Sequence, residues 1–324
     1  MNKLLKQFIV LFSFTSYCFC DVSELPPWKS ITPLNHEDLL NVQNRLQDLL
    51  PAAKRALVSI ETNDGVGSGV IVSEDGLVLT AAHVIGKTGQ KMNVRLLNGK
   101  KVTAISLGGS EISDAGMLKI TKKGKWPFSP IAKRDSSKIG DWCFAIGHPG
   151  GFNKKRGVVV RLGRIIGKNE DTLQSDSRLL GGDSGGPLFD FNGNIIAIHS
   201  RVSKQPDQNF HVPVECFHIN WEFYKKKEIL TFEKLQTQGF LGVACEKTEL
   251  GLKINSVVEK SAAEKSGLQK GDFLISLDGE KLDSREELTI LISLKKPNDL
   301  ISLEYLRDRA ELSVKIALGA RPQN

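Results

Sequence analysis

Gly181-Gly182-Asp183-Ser184-Gly185-Gly186-Pro187 is a glycine-rich bend that exposes one hydroxyl, that of Ser184. A serine hydroxyl is a poor nucleophile at neutral pH and needs a base, such as neutral imidazole, to take its proton as it attacks a carbonyl. Two upstream motifs supply the rest of such a device. Gly67-Ser68-Gly69-Val70 followed by Leu79-Thr80-Ala81-Ala82-His83-Val84 delivers a histidine at the end of a strand, among small residues that leave its ring room to turn. Asp114-Ala115-Gly116-Met117-Leu118-Lys119-Ile120 places a carboxylate just ahead of an apolar strand, where it can lie against an imidazole away from water. His83 is therefore expected to act as base, Asp114 to fix its tautomer and stabilise the imidazolium, and Ser184 to attack. The backbone N–H groups of Gly182 and Ser184 are expected to cradle the developing oxyanion, at roughly 3 kcal/mol per donor. Each piece alone has an ordinary structural explanation, and His36, His148, His199, His211 and His218 carry no comparable context.

Around these motifs the chain falls into short runs rich in Val and Ile: Gly69 to Val72, Leu77 to Thr80, Val94 to Leu97, Val102 to Leu107, Gly157 to Leu162 and Ile195 to Ile198. Turn dipeptides bound several of them, Asp75-Gly76, Asn98-Gly99 and Asn192-Gly193. Closely spaced strands with hairpin turns predict a mainly β fold of antiparallel sheets closed into barrels. Before this region, Leu39, Leu40, Val42, Leu46, Leu49, Leu50 and Leu57 recur near a 3.6 spacing, which predicts an amphipathic helix broken near Pro51. After it, a Lys-rich, helix-leaning stretch leads to a smaller α+β unit. There Ser261 with Glu264, and Ser284 with Glu287, read as capping boxes opening two helices flanked by strands. The expected division is a signal over residues 1–20, a helical segment over 21–57, a barrel unit over 58–216, a connector over 217–238, the small unit over 239–319, and a tail over 320–324 too short to do more than fray.

At 324 residues the chain is long enough for two or three compact units. With 40% hydrophobic and 25% charged residues it has ordinary globular composition and no sign of general disorder. Lys3 and Lys6 precede an apolar run from Phe8 to Phe19, with Cys18 and Cys20 near a cleavage point before Asp21. This reads as an export signal, shorter than the roughly 20 residues a membrane-crossing helix needs. A periplasmic or secreted location is expected, with membrane tethering if the signal stays uncut. Its removal takes the formal charge from +7 to +5 and leaves Cys143, Cys216 and Cys245, too few for a disulfide framework. The basic runs Lys154-Lys155-Arg156 and Lys225-Lys226-Lys227 lack interleaved aromatics, so no nucleic-acid partner is expected.

At these residues the chain resembles the HtrA (DegP-like) serine proteases. The stretch Gly67 to Pro213 is similar to their chymotrypsin-like double β-barrel, through Thr80-Ala81-Ala82-His83-Val84, Asp114 to Ile120, Asp176, and Gly185-Gly186-Pro187-Leu188. Gly239 to Leu318 resembles their PDZ domain, through Phe240-Leu241-Gly242-Val243, Ser261-Ala262-Ala263 and Ser266-Gly267-Leu268-Gln269-Lys270-Gly271-Asp272. The resemblance implies cofactor-free endopeptidase activity on unfolded or damaged polypeptides, and often a trimer. It also implies that Phe240, Leu241, Gly242 and Val243 capture a peptide C-terminus. The N–H groups of Leu241 and Gly242 suit a carboxylate, a peptide can add as a strand beside Val243, and Leu288, Leu291 and Ile292 are candidates to line the groove.

The pattern departs from the family at Asp183, where Asn is usual. In digestive trypsin-like enzymes an acid here pairs with an N-terminus made by cleavage, so Asp183 is expected to pair with a basic side chain or to be exposed. Adjacent Gly181 and Gly182 predict a floppy loop that orders on engagement of substrate or of the PDZ unit. Arg178, where such barrels place the floor of the specificity pocket, and His199 on the substrate-binding strand together predict a preference for acidic residues before the cut. The competing reading is a catalytically idle barrel whose PDZ unit binds partners.

Overall fold

A computed structural model describes residues 26–29, 35–62, 65–202 and 208–322. The expected export signal lies outside these residues.

The amphipathic repeat forms helix α1, His36–Ala56, opened by Asn35, whose side chain accepts the Asp38 N–H in a capping box. The helix passes through Pro51 without the expected break. Proline there costs one backbone hydrogen bond, but the lost partner is the carbonyl of Gln47, an exposed residue. Meanwhile Val42, Leu46, Leu49, Leu50, Ala53 and Ala56 all pack into one core. Leu39 and Leu40, expected in the same stripe, are exposed.

Six antiparallel strands follow: β1 Leu57–Glu61, β2 Val66–Ile71, β3 Leu77–Ala81, β4 Lys91–Arg95, β5 Lys101–Ser110 and β6 Ala115–Ile120, with the one-turn helix α2, Ala82–Ile85, after β3. Pairing runs β5-β4-β1-β2-β3-β6, and β5 also pairs with β6, which closes a barrel. A second closed barrel has the order β10-β11-β12-β9-β8-β7, from β7 Trp142–Gly147, β8 Val159–Lys168, β9 Leu173–Ser175, β10 Pro187–Asp190, β11 Ile195–Val202 and β12 Asn209–Pro213. Closure removes the long sheet edges and puts alternate side chains inside, and strands such as β3 and β10, buried at every residue, pack their outer faces as well, which explains the short, dense apolar runs. The mainly β, double-barrel expectation holds.

Helix α3, Val214–Lys225, buries Phe217 and Tyr224 completely. Strand β13, Ile229–Leu230, then adds parallel to β5. Helix α4, Phe232–Thr237, leads to a third sheet of β14 Val243–Thr248, β15 Gly251–Val257, β16 Phe273–Leu277, β17 Glu280–Lys281, β18 Leu300–Arg307 and β19 Ala310–Ala317. Its helices α5, Ala262–Lys265, and α6, Arg285–Ser293, begin at Ser261 and Ser284, whose side chains accept the N–H groups of Glu264 and Glu287. The unit docks on the barrels through Arg134–Asp283 at 3.2 Å, Arg285–Glu170 at 3.3 Å and the Ser113 hydroxyl donating to Glu286 Oε1 at 2.6 Å. Burial pushes the Glu286 carboxyl up from its ordinary range. Cys143, Cys216 and Cys245 are buried and free. Among the described residues no helix is long and apolar enough to cross a membrane.

Candidate active site

The first barrel places His83 and Asp114 through strand pairing. Ala81 on β3 faces Ala115 on β6, so the residues just beyond each strand end meet. The Ala82 N–H donates to the Asp114 carbonyl at 2.9 Å, and the His83 N–H donates to Asp114 Oδ1 at 3.0 Å. Asp114 adopts φ +63°, and its carboxylate turns back along the helix start. Gly116 is required for this approach, since a Cβ there would lie 2.8 Å from the Ala81 carbonyl oxygen. His83 Nδ1 consequently sits 2.9 Å from both Asp114 oxygens. The hydrogen bond to Asp114 raises the His83 pKa above the ordinary histidine value, against partial burial.

The second barrel places Ser184 between β9 and β10, with its carbonyl accepting the Ser68 N–H at 2.8 Å. Ser200, on β11, joins the two halves. Its hydroxyl donates to Asp114 Oδ2 at 2.6 Å, and its carbonyl accepts the Ser184 hydroxyl at 3.2 Å. The Ser184 Oγ thus faces Ser200 and shares no hydrogen bond with His83.

The bend before Ser184 is pinned, contrary to the floppy loop expected from two glycines. The Gly181 carbonyl accepts the Gly150 N–H at 2.7 Å, and the Gly182 carbonyl accepts the hydroxyl of buried Ser68 at 2.8 Å. Gly182 is needed for fit. Its φ is +97°, and a Cβ there would lie 2.6 Å from Gly150 N and 2.8 Å from the His148 carbonyl oxygen. The N–H groups of Gly182 and Ser184 have no backbone partner among the described residues. Asp183 is fully buried and pairs at 2.9 Å with Arg161 on β8, the first of the two outcomes expected for it.

The specificity expectation fails at His199. This side chain is fully buried, its Nδ1 lies 3.0 Å from His211 Nδ1, and His211 Nε2 lies 2.8 Å from the Ser175 hydroxyl. Burial holds His199 well below the usual histidine range, and holds His211 down to about 3, so neither carries charge at neutral pH. Arg178 is exposed. Of the two cations invoked for acidic specificity, one is a neutral internal imidazole.

In the third unit β14 is a sheet edge. The carbonyls of Phe240, Leu241 and Gly242 accept from Gly319, Ala263 and Val258, while the N–H groups of Leu241 and Gly242 have no backbone partner among the described residues. A cleft of about 90 Å³ runs from Phe240–Val243 to Leu288 and Ile292. Leu291 instead packs on the unit's core. Arg321, in the segment expected to fray, stacks 4.7 Å from the Phe240 ring centre and also lines the cleft. A larger cavity of about 320 Å³ continues along β14 and α6 and is walled by Ile112, Ser113 and Leu230 of the barrel side.

Ser68, Ser200 and Arg161 were not among the expected site residues. The only sequence signal for any of them was the Gly67-Ser68-Gly69 run, whose glycines let β2 approach the Ser184 bend; a Cβ at Gly67 would lie 3.2 Å from the Ser184 carbonyl oxygen.

A family model described as a trypsin-like peptidase domain matches residues 67–198, and one described as a PDZ domain matches residues 239–318. The "Probable periplasmic serine endoprotease DegP-like" of Ectopseudomonas mendocina is 30% identical over 278 residues, 80% of this chain and 57% of that protein. This chain joins a trypsin-like peptidase domain to a PDZ domain and is similar to DegP-like serine endoproteases. Another relative, the "Probable periplasmic serine protease do/HhoA-like" of Haemophilus influenzae, is 32% identical over 279 residues, 79% of this chain and 58% of that protein. The chain thus spans a little over half the length of these curated relatives. The solved structure of the HtrA-type protease AlgW with tripeptide shares its fold, with a TM-score of 0.60 at 24% identity over 86% of this chain and 98% of that one. The serine endoprotease from Yersinia pestis matches with a TM-score of 0.57 at 24% identity, over 85% and 98%.

Proposed function

We propose that the chain is an exported serine endopeptidase that cleaves unfolded or damaged polypeptides, with Ser184 as nucleophile, His83 as general base and Asp114 as the group that orients it. The observation that carries this reading is the His83 Nδ1–Asp114 contact at 2.9 Å, with Ser200 bridging Asp114 to Ser184. Asp114 holds the Nδ1 proton, which leaves Nε2 as a lone-pair base. On substrate binding the Ser184 hydroxyl turns from Ser200 to His83, gives up its proton and attacks the carbonyl carbon. The N–H groups of Gly182 and Ser184 take the oxyanion, and His83 then protonates the leaving amine. Water repeats the sequence to release the acyl group.

The cleft at Phe240, Leu241, Gly242 and Val243 is proposed to bind peptide C-termini, with the peptide as a strand beside β14. The Ser113–Glu286 hydrogen bond supports regulation by this unit, since Glu286 lies on the helix that walls the cleft and Ser113 directly precedes Asp114. A trimer, which the resemblance implies, and a periplasmic location, which the names of the relatives carry, belong to the same proposal. A second reading, a catalytically idle barrel with a peptide-binding PDZ unit, is favoured by one observation, the Ser184 hydroxyl bonded to Ser200 rather than to His83.

Incubating the chain with folded and unfolded casein, with and without a fluorophosphonate, separates the two. Cleavage of the unfolded substrate and labelling of Ser184, both lost in S184A by on the order of 10⁶-fold in turnover, are expected. Neither event in the wild-type chain would establish the idle reading. A chain lacking residues 239–324 that cleaves at the wild-type rate would remove regulation by the PDZ unit.

A further inference from the structure

We propose that Arg161 is a positioning residue for the active site: its guanidinium neutralises Asp183 from within the second barrel and holds the Gly181–Ser184 bend in the shape that leaves two N–H groups free. The inference rests on the protease reading above.

Asp183 closes the bend with three groups. Its N–H donates to the Leu180 carbonyl at 3.0 Å, its carbonyl accepts the Gly186 N–H at 2.8 Å, and its Oδ2 accepts the Leu180 N–H at 2.9 Å. The third of these bonds holds only while the Asp183 side chain points inward. The barrel is cut away to admit it, since a Cβ on Gly147 would come 2.2 Å from Asp183 Oδ1. A carboxylate so enclosed needs a cation in contact. Without one it takes up a proton or pulls its loop toward water.

Arg161 supplies that cation. It lies on β8 opposite Ala145 of β7, its side chain is 15% exposed, and among the described residues it is the sole ion-pair partner of Asp183. Arg156 acts on the carboxylate only at longer range. The histidines nearest the bend are neutral: burial, with Arg156 nearby, holds His148 down to about 4, and burial holds His199 well below the ordinary value. Because Arg161 belongs to the same barrel, the bend is set when the barrel closes and needs no amine released by cleavage. Arg161 and Asp183 are also useful only together, since an amide at position 183 keeps the shape of the carboxylate and needs no counter-ion.

The test compares R161Q and R161Q/D183N with the wild-type chain on unfolded casein and a fluorogenic peptide. R161Q is expected to lose about 100-fold in kcat, the scale of one misplaced oxyanion donor. Its KM should change by less than about threefold, because ground-state contacts are kept. R161Q/D183N is expected to regain activity to within about tenfold of wild type, since no unpaired charge remains. R161Q turning over at the wild-type kcat, or a double variant no better than R161Q, overturns the inference. Should R161Q fail to fold, the double variant decides: folded and active supports the pairing, unfolded or inactive overturns it. An inactive wild-type chain sinks the protease reading instead. A crystal structure of R161Q then decides the inference, overturning it if Gly182 keeps its positive φ with Asp183 still inside, and supporting it if the bend has moved.

Discussion

The two barrels place their halves of the site by different physical means. In the first, His83 and Asp114 follow or precede paired strands, and two backbone-directed hydrogen bonds of 2.9 and 3.0 Å complete the arrangement. Sheet register does most of the positioning there, and the side chains remain partly exposed. In the second, Ser184 sits in a loop, and its position depends mainly on buried polar groups, the Ser68 hydroxyl on Gly182 and Arg161 on Asp183, with the Gly150 N–H on Gly181 at the surface. A pair set by register tolerates exposure because its backbone has no alternative course. A loop set by buried polar contacts is more fragile, since removing one partner strands another in a dry interior.

The largest effect outside Ser184 itself is expected at the carboxylate of the first barrel. Asp114→Asn should lower kcat by about 10⁴-fold, because an amide can favour the wrong imidazole tautomer. The base works neutral, so kcat/KM of the wild-type chain should climb as pH rises through the raised His83 pKa, above the ordinary value of 6.5. The acid limb should move to lower pH in Asp114→Asn, and a limb that stays put would mean the Asp114 contact does not tune His83.

Gly182→Ala probes the second barrel and should cost about 100-fold in kcat, with the peptide affinity of the PDZ cleft unchanged by fluorescence anisotropy. Wild-type turnover in this variant would mean that the loop is not held as tightly as its contacts imply, erasing the contrast between the barrels.

The smallest effect is on stability. His199 and His211 are neutral and buried, with folded pKa values below that of the unfolded chain. Their contribution is therefore complete above the unfolded value near 6.5 and is lost as pH falls from there toward the folded values. The urea midpoint should decline from about pH 7 to about pH 5, and less steeply in His211→Asn, which leaves fewer buried groups to protonate. An equal slope in both chains would show that acid acts elsewhere.

Much of the frame was legible in the sequence. Val and Ile runs with Asp-Gly and Asn-Gly turns indicate hairpins, and the Ser-x-x-Glu pairs mark the starts of α5 and α6, because these depend on neighbours a few residues apart. Expectations that depended on distant partners fared worse. Pro51 argued for a broken helix, but the packing of Val42, Leu46 and Leu49 on the barrel core outweighs one solvent-side hydrogen bond. His199 and Arg178 looked like a cationic pocket, yet the register of β11 turns His199 inward onto His211.

What the sequence by itself determined is the set of reactive groups and their order on two barrels, since motif chemistry and strand periodicity are local. Only the tertiary structure decided that Ser68 reaches Gly182 across 114 residues, that Ser200 reaches Asp114 across 86, and that Arg161 faces Asp183. Closing the barrels and docking them on each other creates these contacts by bringing strand residues against loops distant in sequence, in one largely buried space. There, an unpaired polar atom is costly enough to select its partner.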